Sequence, residues 1–461
     1  MQPLRNTKSF PTAAPRRAAA GLGLGLALVG GGWLASQAAR LSGLALAVGL
    51  LTLFVAVVVA AFAQRYMRGD QQPWRFFLRF AALVAAVLAF VTAGNLLVLG
   101  AAWCASGWLL AALIGHAEGW PEAAAAARRT RLSFVLGDAA LLGALALLGH
   151  QAHGLRLDGV LAAAPQLPPM IAAAAALLLL VAAAARCALP PFSGWLLSSM
   201  TAPTPVSALM HAGLVNAGGF LLIRFAPVLE AAPGVRVVAV GLGLYAALYG
   251  AGIMLVRPDV KRSLAGSTIS QMGFMIMSCG LGAYAAALWH IIAHGLFKAW
   301  LFLGSGSAVG MKAGKPALVL SAGQTAAICA LTAALALAWA ASGGGDAEMV
   351  PLLLGAATAA AMLGAFLRGG VPARARAAIA GGLGALALLH SAGLSLARKA
   401  VGPLATHPAP PVMGLVVLFL FLGAWAWQQQ RIASGRGFPL RLYVYLINAG
   451  ALPAAAPGAK Q

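Results

Sequence analysis

The sequence has 461 residues, of which 61% are hydrophobic and only 9% are charged, and its mean hydropathy is +0.89. This composition is too apolar for a soluble protein and indicates a chain that crosses a membrane many times. The 31 lysines and arginines outnumber nine acidic residues and give a net charge of +22. Because they lie between apolar runs, without interleaved aromatic residues on a polar face, we expect contact with membrane lipids and no nucleic acid.

Runs of about 20 apolar residues, the length that an α-helix needs to cross a bilayer, recur along the chain. They predict an all-α polytopic membrane protein of about fourteen transmembrane helices, occupying residues 20–429. A basic N-terminus at residues 1–19 and a tail at residues 430–461 flank this transmembrane domain. The predicted spans are 20–37, 42–63, 78–94, 97–114, 132–149, 169–189, 204–224, 237–256, 263–280, 284–306, 317–340, 350–367, 377–396 and 411–429.

The first apolar run has two interpretations. It is rich in glycine and alanine, and residues 35–39 read Ala-Ser-Gln-Ala-Ala. This is the pattern of a cleavable signal peptide. If the run is retained, it forms the first transmembrane helix.

Basic residues cluster in every second connection between the predicted spans, except in the connection Pro190–Pro203. By the positive-inside rule, these connections face the cytoplasm, so we expect both termini there and the protein in a bacterial inner membrane. An opposite connection contains Asp346 and Glu348. The clusters are Arg65 and Arg68; Arg128, Arg129 and Arg131; Arg257, Lys261 and Arg262; Lys312 and Lys315; Arg368, Arg374 and Arg376; and Arg431, Arg436 and Arg441.

Two proline pairs frame one inside connection. Pro190 and Pro191 end the preceding span, and Pro203 and Pro205 open the next one. Proline removes a backbone donor and breaks a helix, and irregular backbone at membrane depth is tolerated only where it is buried in protein or lines a water-filled cavity. We therefore predict broken helices that line an ion path, with a short amphipathic segment between the pairs.

Three titratable residues lie four apart within the span 284–306. His290, His294 and Lys298 fall on one helix face and rise about 12 Å along it. Imidazole accepts and donates protons near neutral pH, and burial favours the neutral form of a lysine. This ladder predicts proton movement; the alternative is that the histidines serve packing or hydrogen bonding alone.

Three further polar residues share one depth. Counting from the inside face, Asp138 lies about 9 Å, Arg186 about 5 Å and His211 about 11 Å into the membrane. We predict an Asp138–Arg186 pair, which would offset part of the desolvation cost of each charge, with His211 beside it as a proton acceptor. The alternative is that Arg186 extends to the interface and Asp138 caps a helix.

Motifs for cofactors are missing from the sequence. The four cysteines are widely spaced and form no CxxC or Cys/His cluster, and neither a phosphate-binding loop nor a dinucleotide-binding fingerprint occurs. We expect no cofactor or metal in this chain.

Two segments resemble the signatures of the antiporter-like membrane subunits. They read SSMTAPTPVSALMHAG at 198–213 and PDVKRSLAGSTISQMG at 258–273, and the helix of the ladder continues the pattern. This superfamily includes the proton-pumping subunits of respiratory NADH–quinone oxidoreductase and the large subunits of multisubunit sodium/proton antiporters. The resemblance covers roughly residues 50–310 and implies transport of protons or sodium ions.

Within the superfamily, residues 192–196, 214–224 and 441–448 most resemble the DabB family, the membrane subunits of complexes that accumulate inorganic carbon. That resemblance implies a soluble, DabA-like partner related to zinc carbonic anhydrases, which hydrates carbon dioxide while this chain supplies an ion flux. Zinc would belong to the partner.

The sequence also departs from the respiratory pattern. Trp103 is followed by Cys104 where respiratory members have a glutamate, Arg186 occupies the place of a broken-helix lysine, and the span 317–340 has no charge. An inorganic-carbon transport subunit is therefore the leading interpretation. The alternatives are the proton-pumping subunit of a respiratory oxidoreductase or membrane hydrogenase, and a scaffold that has lost transport.

Overall fold

The computed structural model describes residues 25–308, 320–343, 345–368, 372–404, 407 and 409–449. Within these ranges the regular structure is helical, as predicted, apart from one isolated bridge between Asn95 and Arg156. Nineteen α-helices lie in this part of the chain. They are α1 Gly31–Gln37, α2 Gly43–Tyr66, α3 Pro73–Thr92, α4 Leu96–Ile114, α5 Pro121–Gln151, α6 Leu157–Ala163, α7 Pro169–Arg186, α8 Gly194–Ser198, α9 Thr204–Ala212, α10 Ala217–Arg224, α11 Ala226–Glu230, α12 Pro233–Val256, α13 Val260–Leu281, α14 Tyr284–Gly304, α15 Ala322–Ala341, α16 Met349–Arg368, α17 Ala373–Val401, α18 Pro411–Ala433 and α19 Leu440–Ile447.

Twelve helical stretches of the described chain are long and apolar enough to cross a membrane, and Met349–Ala365 is a shorter apolar helix. The predicted first span, 20–37, lies partly outside the described residues, and its described part is helical from Leu26 to Gln37. The expected count of about fourteen is therefore consistent with the structure. The protein is a multi-pass membrane protein.

The centre of the bundle is formed by α9 and α10. In the stretch Thr204–Arg224, 89% of the most apolar window is buried, against 11% in Arg374–Val401 of α17. A large hydrophobic cluster surrounds this centre, and a smaller one joins α15, α16 and α18 to α12 and α13. The last long helices thus form an outer layer beside the central bundle.

Glycines allow α12 and α13 to pack with their backbones in contact. A Cβ atom on Gly250 would lie 2.3 Å from the backbone nitrogen of Ser270, and one on Gly273 would lie 2.5 Å from that of Ala247. Small residues at a helix crossing permit such close approach in membranes. This contact holds α13, which lines the site described below, against α12.

The sequence predicted that the arginine cluster Arg128, Arg129 and Arg131 lies in a connection. This prediction is wrong, because the cluster is helical. It lies in the first three turns of α5, which starts at Pro121 instead of residue 132. Proline is favoured in the first turn, and the alanines that follow it are strong helix formers. Polar residues thus extend this helix beyond its apolar run.

The proline-framed break is present, and its interior differs from the prediction. After α7 ends at Arg186, Pro190 and Pro191 are joined by a cis peptide bond. Pro203 precedes α9 and Pro205 lies in its first turn. The short helix α8 between the pairs is buried along its whole length and is not amphipathic, because α5, α13 and the segment 199–201 cover it.

A second break, at Gly213, divides the predicted span 204–224 into α9 and α10. Apolar residues continue through it, so the hydropathy of the sequence does not reveal it. Close packing against α7 follows the break: a Cβ atom on Gly218 would lie 2.6 Å from the Ala183 carbonyl oxygen. The chain therefore has two interrupted helices side by side, α7–α8 and α9–α10.

The two ends of the bundle are defined by their connections. On the basic face, Arg257 donates to the carbonyl of Ala449, and Lys261 lies beside the proline-framed break. On the opposite face, the connections that contain Gly282, Glu348 and Gly402 line one surface pocket.

Candidate functional site

The ladder lies on the buried face of α14. The rings of His290 and His294 are stacked, with centroids 5.8 Å apart and an interplanar angle of 16°. His294 is buried and Lys298 is 1% exposed. A buried lysine requires a polar partner, because the charged form loses its hydration.

Lys298 finds that partner on α13. Its ammonium donates to the carbonyl oxygen of Leu264 at 3.1 Å, and the same oxygen accepts the Thr268 hydroxyl at 3.0 Å. Thr268 Oγ1 in turn lies 3.0 Å from Nδ1 of His211. Hydrogen bonds therefore connect the ladder on α14 to His211 on α9.

The directions of these hydrogen bonds define which ring nitrogen of His211 bears the proton. With the Thr268 proton donated to Leu264, Nδ1 of His211 is the donor to Thr268, and Nε2 is the free acceptor. The ring is fully buried and stacks on Phe302 with centroids 4.1 Å apart. Nε2 is therefore the nitrogen at which this buried imidazole can accept a proton.

Four buried ring nitrogens along this path have no hydrogen-bond partner among the described protein groups. They are Nε2 of His211, Nε2 of His290 and both nitrogens of His294. Buried polar atoms are normally paired, so each such group in a folded protein requires an explanation. A row of them next to a buried lysine favours a path for a charged species.

Asp138 and Arg186 form a buried ion pair. Nη2 of Arg186 lies 3.2 Å from Oδ1 of Asp138 and donates to the Trp103 carbonyl at 3.0 Å, and Nη1 donates to Ser106 at 3.2 Å. The guanidinium carbon lies 4.2 Å from the Trp103 ring centroid and 4.4 Å from that of Phe134. Arg186 is therefore held by polar and aromatic neighbours inside the bundle and does not extend to the interface.

His211 does not lie beside this pair, contrary to the expectation from depth. Its contacts are with Thr268 and Phe302, and none of the described interactions joins it to Asp138 or Arg186. Equal depth does not define which side of a helix a residue occupies. Since α9 packs chiefly against α14 and α2, His211 faces the ladder.

Lys261 and Thr268 were missed as site residues. Lys261 Nζ lies 3.5 Å from the Met200 carbonyl oxygen and 3.4 Å from that of Ala202, so it contacts the proline-framed break at the basic face. The sequence placed Lys261 in a basic cluster, and Thr268 has no charge to distinguish it. Their positions on α13, seven residues apart and thus on one face, were the available signal.

A second buried polar cluster lies near the opposite face. Glu230 and Arg236 are paired at 2.7 Å, and Glu230 accepts from the Tyr284 hydroxyl and the His407 backbone, each at 2.8 Å. Arg236 also donates to the His407 carbonyl at 2.7 Å. This cluster joins α11, α12, the start of α14 and the connection before α18.

Metal-ligating side chains do not cluster in threes or more within the described ranges. The titratable groups of the site therefore occur as a line of single residues along α14, α13 and α9.

Residues 93–377 match the NADH:quinone oxidoreductase/Mrp antiporter transmembrane family. A probable inorganic carbon transporter subunit, DabB1 of Halothiobacillus neapolitanus, is 41% identical over 268 residues, which cover 56% of this chain and 48% of that protein. DabB of Bacillus subtilis is 37% identical over 59% of this chain and 54% of its own length.

Subunit L of the NADH-quinone oxidoreductase of Mycobacterium tuberculosis is 36% identical over 56% of this chain and 42% of its own length. Among solved structures, a chain of the Mrp complex from Dietzia sp. superposes with a TM-score of 0.59 at 25% identity, covering 88% of this chain and 54% of that one. The chain thus spans about half the length of the curated relatives it matches.

Proposed function

This chain belongs to the NADH:quinone oxidoreductase/Mrp antiporter transmembrane family, and from that premise we propose that it translocates protons or sodium ions as the membrane subunit of a larger complex. The observation that supports this most strongly is the buried line of His290, His294 and Lys298, continued through Thr268 to His211. The line crosses three helices, and ring nitrogens along it have no partner among the groups that the structure describes.

The proposed carriers are the ladder residues and His211. Lysine and histidine can cycle between charged and neutral forms, whereas a guanidinium stays protonated at every accessible pH. Arg186, held by Asp138, Trp103 and Ser106, acts in this proposal as a fixed positive charge in the neighbouring interrupted helix, apart from the line of carriers. Asp138 balances that charge.

The path reaches the basic face at Lys261 in this proposal. From His211 the helix α9 leads back to Thr204, whose hydroxyl lies 3.5 Å from that of Tyr66, and Lys261 contacts the neighbouring break. Irregular backbone at this depth is compatible with water that reaches the buried residues. The basic face is the cytoplasmic one in this proposal, as the positive-inside rule requires.

The test begins with Lys298→Ala. Without the amine, ion-coupled function should be lost while the protein still inserts, and Lys298→Arg should also fail because its charge cannot be released. The matched control is Lys399→Ala, which removes an exposed lysine at the end of α17 and should leave function intact. Normal activity of a correctly inserted Lys298→Ala protein would contradict the proposal.

We further propose that the flux energises accumulation of inorganic carbon with a DabA-like soluble subunit related to zinc carbonic anhydrases. The support is the match to relatives named inorganic carbon transporter subunits. Carbon dioxide crosses a bilayer and bicarbonate does not, so hydration inside the cell, kept from reversing, accumulates bicarbonate. An elementary charge that moves down 100 mV releases about 2.3 kcal/mol for this purpose.

Co-expression tests this finer proposal. The chain and its soluble partner together should allow a bacterium without carbonic anhydrase to grow in ambient air, and neither should do so alone. Uptake of labelled inorganic carbon should cease when an uncoupler dissipates the gradient. Failure of growth with a well-expressed pair would favour the second candidate, a proton-pumping subunit of a respiratory oxidoreductase, which the match to subunit L supports.

A further inference from the structure

A cavity of about 570 Å³ lies between α14 and the outer helices α16, α17 and α18. Most of its wall is apolar and includes Phe274, Trp289 and Trp425. The polar residues in the wall are few. They are Ser270, Gln271, His290, Glu348, Thr358 and His390.

His290 connects the cavity to the ladder. It lines the cavity and also stacks on His294, the next residue of the ladder. Its Nε2 atom is buried and has no partner among the described groups. His290 therefore contacts the buried ladder on one side and the cavity on the other.

Glu348 lies where the cavity meets the opposite face. It lines both the cavity and the surface pocket that contains Asp346 and Arg398. Arg398 is paired with Glu348 and lies 3.9 Å from Asp346. Two carboxylates against one guanidinium leave a net charge of −1, which attracts a cation to this end.

His390 is a second imidazole in the cavity wall, with a defined orientation. Trp289 donates from Nε1 to Nδ1 of His390 at 3.0 Å. In the neutral ring, Nε2 then bears the proton and can donate it in a hydrogen bond to a neighbouring water. Polar groups thus occur from Glu348 to His290 across an otherwise apolar wall.

We propose that this cavity is a wetted vestibule through which the transported monovalent cation passes between the opposite face and His290. The inference rests on the proposed function, since it supplies the half of the path between the ladder and that face. The route passes α16, α17 and α18, and it makes no use of α15, whose residues 322–341 include no charged side chain.

Accessibility to a charged thiol reagent tests the vestibule without measuring transport. Ala293→Cys places a thiol in the cavity wall, and Gly345→Cys places one on the opposite face as a reference for that side. Phe297→Cys is the matched control, because Phe297 is exposed on the same helix but does not line the cavity. None of the four native cysteines lines it either.

A membrane-impermeant reagent applied from the Gly345 side should label Ala293→Cys and leave Phe297→Cys unlabelled. A positively charged reagent should react with Ala293→Cys faster than a negatively charged one. Glu348→Gln should reduce this difference between the two labelling rates. Labelling of Ala293→Cys only after solubilisation in detergent would show a dry or lipid-filled cavity and overturn the proposal.

A filling variant then links the cavity to flux. The Cβ position of Gly355 in the wall is open, as is that of Gly423, which does not line the cavity. Gly355→Phe should abolish labelling at Ala293→Cys and ion flux, and Gly423→Phe should change neither. Ion flux that persists in Gly355→Phe would overturn the vestibule and leave the proposed function intact. Labelling of Ala293→Cys as expected, in a protein that shows no ion flux, would support the vestibule and overturn the proposed function.

Discussion

Arg186 and Lys298 are two buried cations with different surroundings. Arg186 has three hydrogen-bond acceptors and two aromatic ring faces, so its charge has several fixed partners. Lys298 has one carbonyl acceptor, that of Leu264. A cation with fixed partners is suited to holding charge in place, and a cation with few partners is suited to releasing it.

The Asp138–Arg186 pair gives the prediction at the scale of residues. Asp138→Asn leaves an uncompensated buried charge, which costs about 3–5 kcal/mol in a buried pair. Arg186→Gln should offset part of that loss when combined with it, giving a coupling of about 0.5–3 kcal/mol. Thermal unfolding of the two single variants and the double variant in detergent measures the coupling.

Additive losses in the double variant would show that the two side chains do not depend on each other. Ser106→Ala is the control, because it removes only one neutral acceptor of Arg186 and should cost about 1 kcal/mol.

At the scale of elements, the interrupted helices and the α12–α13 contact define where polar groups are possible. The breaks at Pro190 and Gly213 lie on neighbouring helix pairs at the centre of the bundle. The glycine contact between α12 and α13 keeps α13 in place, so that Leu264 and Thr268 meet the ladder and His211.

Gly250→Ala is the prediction for this contact. The added methyl would lie 2.3 Å from the Ser270 nitrogen and 2.6 Å from the Gly266 carbonyl oxygen, so α12 and α13 must separate. Overpacking of this kind costs about 1–3 kcal/mol, and the melting temperature should fall. In the control Gly241→Ala, on the same helix, the methyl meets no atom within 4 Å, and stability should stay equal or rise. Equal melting of both variants would contradict the role of the contact.

Sequence reasoning could predict the helices and part of the site. Membrane-spanning length determines the number of apolar runs, and four-residue spacing determines that His290, His294 and Lys298 share a face. Equal depth in the membrane correctly predicted the Asp138–Arg186 pair. It misplaced His211, because depth does not define the direction in which a side chain leaves its helix.

The remaining differences have related causes. The break at Gly213 lies inside a continuous apolar run, so hydropathy does not detect it. The start of α5 extends beyond its apolar run because helix propensity continues through polar residues. The cluster around Glu230 draws its members from several distant connections, and no local pattern brings them together.

At the scale of the whole molecule, an outer layer of α15 to α18 packs against a central bundle. The larger hydrophobic cluster includes α2 to α14 and also Ala397 of α17, and the smaller one joins α15, α16 and α18 to α12 and α13. The cavity beside His290 lies between the two layers, and the Glu230 cluster lies at the opposite face where the connection at His407 meets the bundle.

Glu230→Gln should therefore loosen the junction of the two layers. It removes the charge that balances Arg236, a buried partner at 2.7 Å, and the expected loss is about 3–5 kcal/mol. Tyr284→Phe, which removes one hydrogen bond to the same carboxylate, should cost about 1 kcal/mol. Thermal unfolding gives the order of the two losses, and hydrogen exchange at the amides of α18 should rise in Glu230→Gln more than in Tyr284→Phe. Equal losses, or exchange that rises only within α12, would show that the cluster stabilises its own helices and does not hold the outer layer.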